Sequence, residues 1–274
     1  MLSFTTRRVR NGAALLVALS VITALWLAER RALRPHAFHS GYLLIGAVLF
    51  LAAYNLRKKL PFLPLGSSAA WLQWHLYVGC GAAWVFLLHI GFRWPNGMLE
   101  TLLAGLFSVV TLSGLVGLYL TRTLPRRLAA LREEVLWERI PQLQRSTAAK
   151  VRQLVEQAAT TPESGVIAEF YTQRLFPFFE RRRAWHYYLR PTSVMRRRLL
   201  AQLHELPRYL AEPQRPLVQE LAQAIGRKDD LDYHFALQGW LKSWLFVHVG
   251  LTYALLVLAG FHALTALAFH GGTR

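Results

Sequence analysis

The chain holds 10 histidines, and four of them, His75, His89, His248 and His262, stand in stretches otherwise built of apolar residues. His75 and His89 are 14 positions apart, and so are His248 and His262. An ionisable side chain inside an apolar segment is costly and marks function by default. Neutral imidazole binds iron, zinc or copper and can relay protons, so the chemistry on offer is metal ligation or proton movement. The interval narrows the choice. A single small ion needs ligands about three or four residues apart on one helix, or clustered in space. Fourteen residues of α-helix instead rise roughly 21 Å. The angular drift over that distance is about 40° and vanishes at the supercoil repeat of about 3.5 residues per turn. Each pair therefore puts one imidazole near either side of a bundle as thick as a membrane, both on its inward face.

The elements that must hold these groups are apolar runs at residues 12–28, 39–56, 69–92, 101–121 and 243–269, none with Asp, Glu, Lys or Arg in its interior. A membrane span needs about 20 mostly apolar residues, and in lipid the backbone must satisfy its own polar groups. The expected fold is all-α: an integral membrane bundle of five transmembrane helices. Arg7, Arg8 and Arg10 precede the first run, but Leu25-Trp26-Leu27-Ala28 leads straight into Glu29-Arg30-Arg31 with no small-x-small cleavage site. A retained first helix is expected.

The domain plan is residues 1–121 with the first four spans, a polar insert at 122–239, and residues 240–274 with the fifth span and the C-terminus. In the insert, apolar residues recur at helical spacing over 126–159, with a break expected at Pro141. Shorter helical patterns run through 166–176, 194–210 and 216–225. The insert carries the triplets Arg181-Arg182-Arg183 and Arg196-Arg197-Arg198.

Charge supports this plan. Only 17% of residues are charged against 54% hydrophobic, where a soluble chain has about a quarter charged. Yet the formal charge is +17, with a pI near 10.9 and a mean hydropathy of +0.25. Nucleic-acid binders reach such a pI with polar sequences, so no nucleic-acid partner is expected. With the N-terminus inside, 27 of the 32 basic residues fall on the cytoplasmic side, as the positive-inside rule requires. The chain is then a multi-pass protein of the cell (inner) membrane, in contact with lipid, with its insert cytoplasmic and its C-terminus outside. The lone Cys80 excludes an intramolecular disulfide, a Cys-x-x-Cys zinc site, a Cys-ligated iron–sulfur cluster and covalent haem attachment through Cys-x-x-Cys-His.

In that arrangement the third and fifth spans run in the same direction. His75 is level with His248 near the cytoplasmic side, and His89 with His262 near the outer side. Two facing imidazoles at each of two levels is what two bis-histidine haem b groups require. Between the ligands, Gly79, Ala82, Thr252 and Ala259 are small enough for a flat macrocycle to approach the backbone. They also suit ordinary helix packing.

With this pattern the chain resembles the dihaem b-type membrane cytochromes. The His-x13-His pair on each of two helices is similar to the cytochrome b of quinol–cytochrome c oxidoreductases. Placement on the third and fifth spans is similar instead to the ferric-reductase class. The likeness covers residues 36–121 and 240–270 and leaves out the insert. It implies His75 and His248 as axial ligands of an inner haem b, His89 and His262 as those of an outer one, and a quinone as a further candidate cofactor. In the ferric-reductase class a flavin- and NADPH-binding domain follows the membrane core; none is expected here, and no Gly-x-Gly-x-x-Gly run is present in residues 1–274. Direct NAD(P)H oxidation is therefore not expected.

Arg93 at the outer side and Lys242 at the inner side are candidate partners of the haem propionates, with Arg122 and Arg126 on the side of Lys242. His36, His39 and Glu100 could move protons at the outer side. Trp71, Trp74, Trp94, Trp240 and Trp244 suggest an interfacial belt. The expected function is electron transfer across the bilayer, between a quinone or cytoplasmic donor and an outer-side cytochrome or other redox subunit. The rival is a haem-free scaffold or transporter whose histidines move protons or metal.

Overall fold

The computed structural model describes residues 4–32, 36–59, 66–131, 133–158, 165–206 and 215–270. Among these every regular element is helical. The chain forms α1 (Phe4–Arg31), α2 (His36–Lys59), α3 (Ser68–His89) and α4 (Met98–Ala129). A 3-10 turn at Trp137–Arg139 leads into α5 (Ile140–Ala158). α6 (Gly165–Phe170) passes through a π turn into α7 (Phe176–Glu180), followed by α8 (Trp185–Leu189), α9 (Val194–Glu205) and α10 (Arg215–His270). Two compact units result: Met1–Gly117 with Trp244–Arg274, and Leu118–Ser243.

Four stretches are long and apolar enough to cross a membrane: Val9–Arg31, Ala37–Asn55, Met98–Ala129 and Pro216–Phe269. α3, which carries Gln73, His75 and His89, is not among them. It nevertheless packs against both α1 and α2. The Ser67 hydroxyl caps its start by accepting from the Ala70 N–H at 3.2 Å, as an N-cap serine does. α3 stops at His89, short of the expected 92, because Gly91 and Phe92 both turn left-handed at φ 60° and 59°. Phe92 tolerates this costly conformation with its N–H bonded to the Leu87 carbonyl at 3.0 Å and its ring edge-on to Trp84.

Three sequence expectations need correction. Pro141 does not break a helix: it lies in the first turn of α5, where a missing N–H costs nothing, and the interruption falls earlier, between Ala129 and Trp137. α4 also runs past residue 121, carrying Pro125 within it. The pattern at 216–225 is not a separate helix but the start of the 56-residue α10, since no proline or helix stop follows before the apolar stretch. Pro207 and Pro213 lie outside the described residues.

The unit Leu118–Ser243 has its own apolar core, with Val151, Leu175, Leu221 and Ile225 fully buried. Beside it Arg183 bridges Asp229 at 3.0 Å and Asp232 at 2.6 Å. Lys228 pairs with Asp232 one turn away, and Gln144 donates to the same carboxylate at 2.8 Å. The guanidinium of Arg183 lies 4.4 Å from the Phe178 ring centre. Burial, reinforced by Asp229, pushes the Tyr187 hydroxyl pKa up.

Candidate functional site

The four histidines fall on two helices of one unit. His75 and His89 lie on α3; His248 and His262 lie on the apolar half of α10. His75 and His248 stand with ring centres 6.5 Å apart and planes crossed at 69°, in an edge-type contact. Rings flanking one metal through nitrogen–metal bonds of about 2.0–2.1 Å stand roughly 6.4 Å apart centre to centre. The observed separation fits one iron held between two imidazoles, and rings on opposite sides of a haem are free to cross in this way.

His75 is flanked by Tyr54 of α2, 5.3 Å away. On His248 the indole of Trp244 stacks at 5.3 Å and 21°, while its Nε1 donates to the Ser113 carbonyl at 2.8 Å. The stack depends on Gly117: a Cβ there would lie 1.8 Å from Trp244 Cζ2. Trp244, expected in an interfacial belt, is thus built against His248 of the His75–His248 pair. The Ser113 hydroxyl approaches His248 Nδ1 at 2.6 Å.

His89 and His262 line a single cavity of about 570 Å³, shaped by residues of α2, α3, α4 and α10. Its size lies within the roughly 300–1,000 Å³ of small-molecule and cofactor sites. The wall is mostly apolar and includes Ala259, while Arg93, Asn96 and Glu100 supply polar groups. An apolar pocket with two imidazoles and one guanidinium suits a macrocycle carrying carboxylates. The Ser40 hydroxyl of α2 stands 3.1 Å from His89 Nδ1. Gly41 beside it leaves the ring its place, since a Cβ would come within 3.3 Å of His89 Cε1.

The buried apolar cluster of Val48, Ala82, Phe86, Ala104, Phe107 and Leu255 supplies much of the cavity wall, all but Ala82 lining it. Phe86 and Phe107 stack at 4.4 Å within the cluster. Of the small residues singled out in the sequence, Ala82 is 3% exposed in this cluster. Gly79 faces Leu51 of α2, and the Thr252 hydroxyl donates to its own helix at the His248 carbonyl. Only Ala259 of the four lines the cavity.

Lys242 belongs to the other unit, where its ammonium pairs with Glu138 at 2.8 Å and lies 5.0 Å from the Trp137 ring centre. That bond holds the Glu138 carboxyl below its ordinary pKa. His39 pairs with Glu29 at 2.9 Å, and Glu100 lines the cavity. The side chains of His36 and His270 lie outside the described set. Among the described residues no group of three or more His, Cys, Asp or Glu gathers as a bare metal ion would need.

Ser40 and Ser113 were not singled out by sequence. Each is an unremarkable hydroxyl in an apolar helix, and only the neighbouring helix gives it a partner. The chain was compared with protein-family models, with curated proteins and with solved structures, and no match was found.

Proposed function

We propose that this chain is a dihaem b-type cytochrome subunit that carries electrons across a membrane. The single observation that carries this reading is the His75–His248 pair, set 6.5 Å apart and crossed, as two axial ligands of one iron would be. Support for the second level comes from the cavity shared by His89 and His262, with Arg93 available for a propionate. The levels are separated along α3 by the 14-residue step, about 21 Å of helix. In this reading one lies toward each face of a bilayer whose apolar core is about 30 Å thick.

In this reading α3 crosses the membrane as a fifth span, shielded by α1 and α2, and the basic insert stays on the cytoplasmic side. Bound haem would supply reversible one-electron exchange at iron. The protein's own part is to hold the imidazoles neutral and oriented, to exclude water with Phe86 and Phe107, and to offer a cation where Arg93 stands. Electrons would come from a quinol or a cytoplasmic donor and leave to a partner redox subunit.

The test is a set of single histidine replacements in the full chain, read by haem content and low-temperature absorbance. His75→Ala and His248→Ala should remove the same haem, and His89→Ala and His262→Ala the other. A crossed pattern, in which His75 and His262 share a haem, would contradict the assignment.

A further inference from the structure

We infer that Ser113 and Ser40 are tautomer locks, which fix the proton of His248 and His89 on Nδ1 and leave Nε2 as the unprotonated, accepting nitrogen. The assignment of that nitrogen to iron rests on the dihaem reading; the lock itself rests on the hydrogen bonds.

Ser113 Oγ lies 2.6 Å from His248 Nδ1 and 2.8 Å from the Val110 carbonyl oxygen. Ser40 Oγ lies 3.1 Å from His89 Nδ1 and 3.1 Å from the Ala37 carbonyl oxygen. A carbonyl only accepts, and a serine hydroxyl has one proton to give. Donation to the carbonyl three residues back, a habitual bond of serine in helices, leaves only lone pairs facing the imidazole. The imidazole must then donate from Nδ1, and in a neutral ring the other nitrogen becomes the acceptor.

The device occurs twice in different places. Ser40 of α2 serves His89 of α3, and Ser113 of α4 serves His248 of α10, so one histidine at each level has it. At His248 the ring is held a second way, because Trp244 stacks on it and bonds the backbone of the same Ser113. Ser40 and Ser113 are positioning residues, acting through the histidines. An N–H···O bond at the far nitrogen raises the basicity of the ligating one, which favours ferric over ferrous iron and holds the haem potential down.

The experiment compares the full-length wild type with Ser113→Ala, Ser40→Ala and the threonine variants Ser113→Thr and Ser40→Thr. Potentiometric titration of the purified haem protein should show one midpoint raised in Ser113→Ala and the other raised in Ser40→Ala. Threonine, which keeps the hydroxyl, should restore each. Two haems whose midpoints do not move in the alanine variants, or move equally in the threonine ones, would overturn the lock while leaving the dihaem reading intact. A wild type without haem would overturn that reading instead. Nitrogen-15 NMR of the histidine rings in haem-free protein then decides the lock alone: protonated Nδ1 at His89 and His248 supports it, and protonated Nε2 refutes it.

Discussion

Buried Lys228, Asp229 and Asp232 of the insert unit form a connected set with the partly buried Arg183, each charge answered by another, beside a well-filled apolar core. The histidines of the helical bundle are treated differently. His89 and His248 each meet one serine hydroxyl at Nδ1, and His89 and His262 line a cavity. One unit closes its polar groups on themselves; the other orients its polar groups and leaves space beside them. The first pattern is that of a fold holding itself together. The second is that of a fold prepared to receive something, and it is why function is placed in the bundle.

The largest expected effect lies in the closed network. Replacing Arg183 by Ala leaves two buried carboxylates without their guanidinium, and breaking such a buried pair costs about 3–5 kcal/mol. Thermal unfolding with limited proteolysis should show residues of the insert unit cut at lower temperature. If the contrast between units holds, haem absorbance should survive that loss.

A smaller effect, confined to the bundle, is expected of Gly117→Ala. The new methyl would lie 1.8 Å from Trp244 Cζ2, so the indole must leave its stack on His248, with an overpacking cost of about 1–3 kcal/mol. The inner haem should shift in absorbance or be lost while the outer one is retained; equal loss of both would blur the two-level picture. Gly41→Ala should be milder still. Its Cβ would meet His89 Cε1 at 3.3 Å, and better helix propensity offsets the strain by up to about 1 kcal/mol. Only the outer haem spectrum should respond.

The smallest effect is one of pH, at Asp229 in the insert portion of α10. Burial raises its carboxyl pKa, against the pull of Arg183. A raised folded-state pKa means that the folded protein holds the proton longer than the unfolded chain. Its contribution to stability is therefore fullest below the ordinary carboxyl pKa and is lost as pH rises through the folded value. Unfolding midpoints measured across mildly acidic pH should show this decline in the wild type, and a flatter profile in Asp229→Asn.

Much of the bundle could be read from residue type alone. Uncharged runs announce long apolar helices, and a 14-residue interval between histidines on two of them sets the imidazoles of each helix about 21 Å apart, because helix rise is fixed. What could not be read depends on neighbours distant in sequence. Lys242 looked like a cation for an inner haem, but its partner Glu138 is 104 residues away. Trp244 carries the composition of a belt residue and gains its role from Gly117 and Ser113. The end of α3 was hidden because Phe92 takes a left-handed conformation usually given to glycine. Pro141 was misplaced because a proline pattern does not distinguish the first turn of a helix from its end.

The most direct test of the central claim is a dithionite-reduced minus oxidised spectrum of the purified, folded full chain, with haem quantified per polypeptide. The account predicts a b-type α band and two haems per chain. A monodisperse, helical preparation from haem-replete cells that is colourless would contradict it.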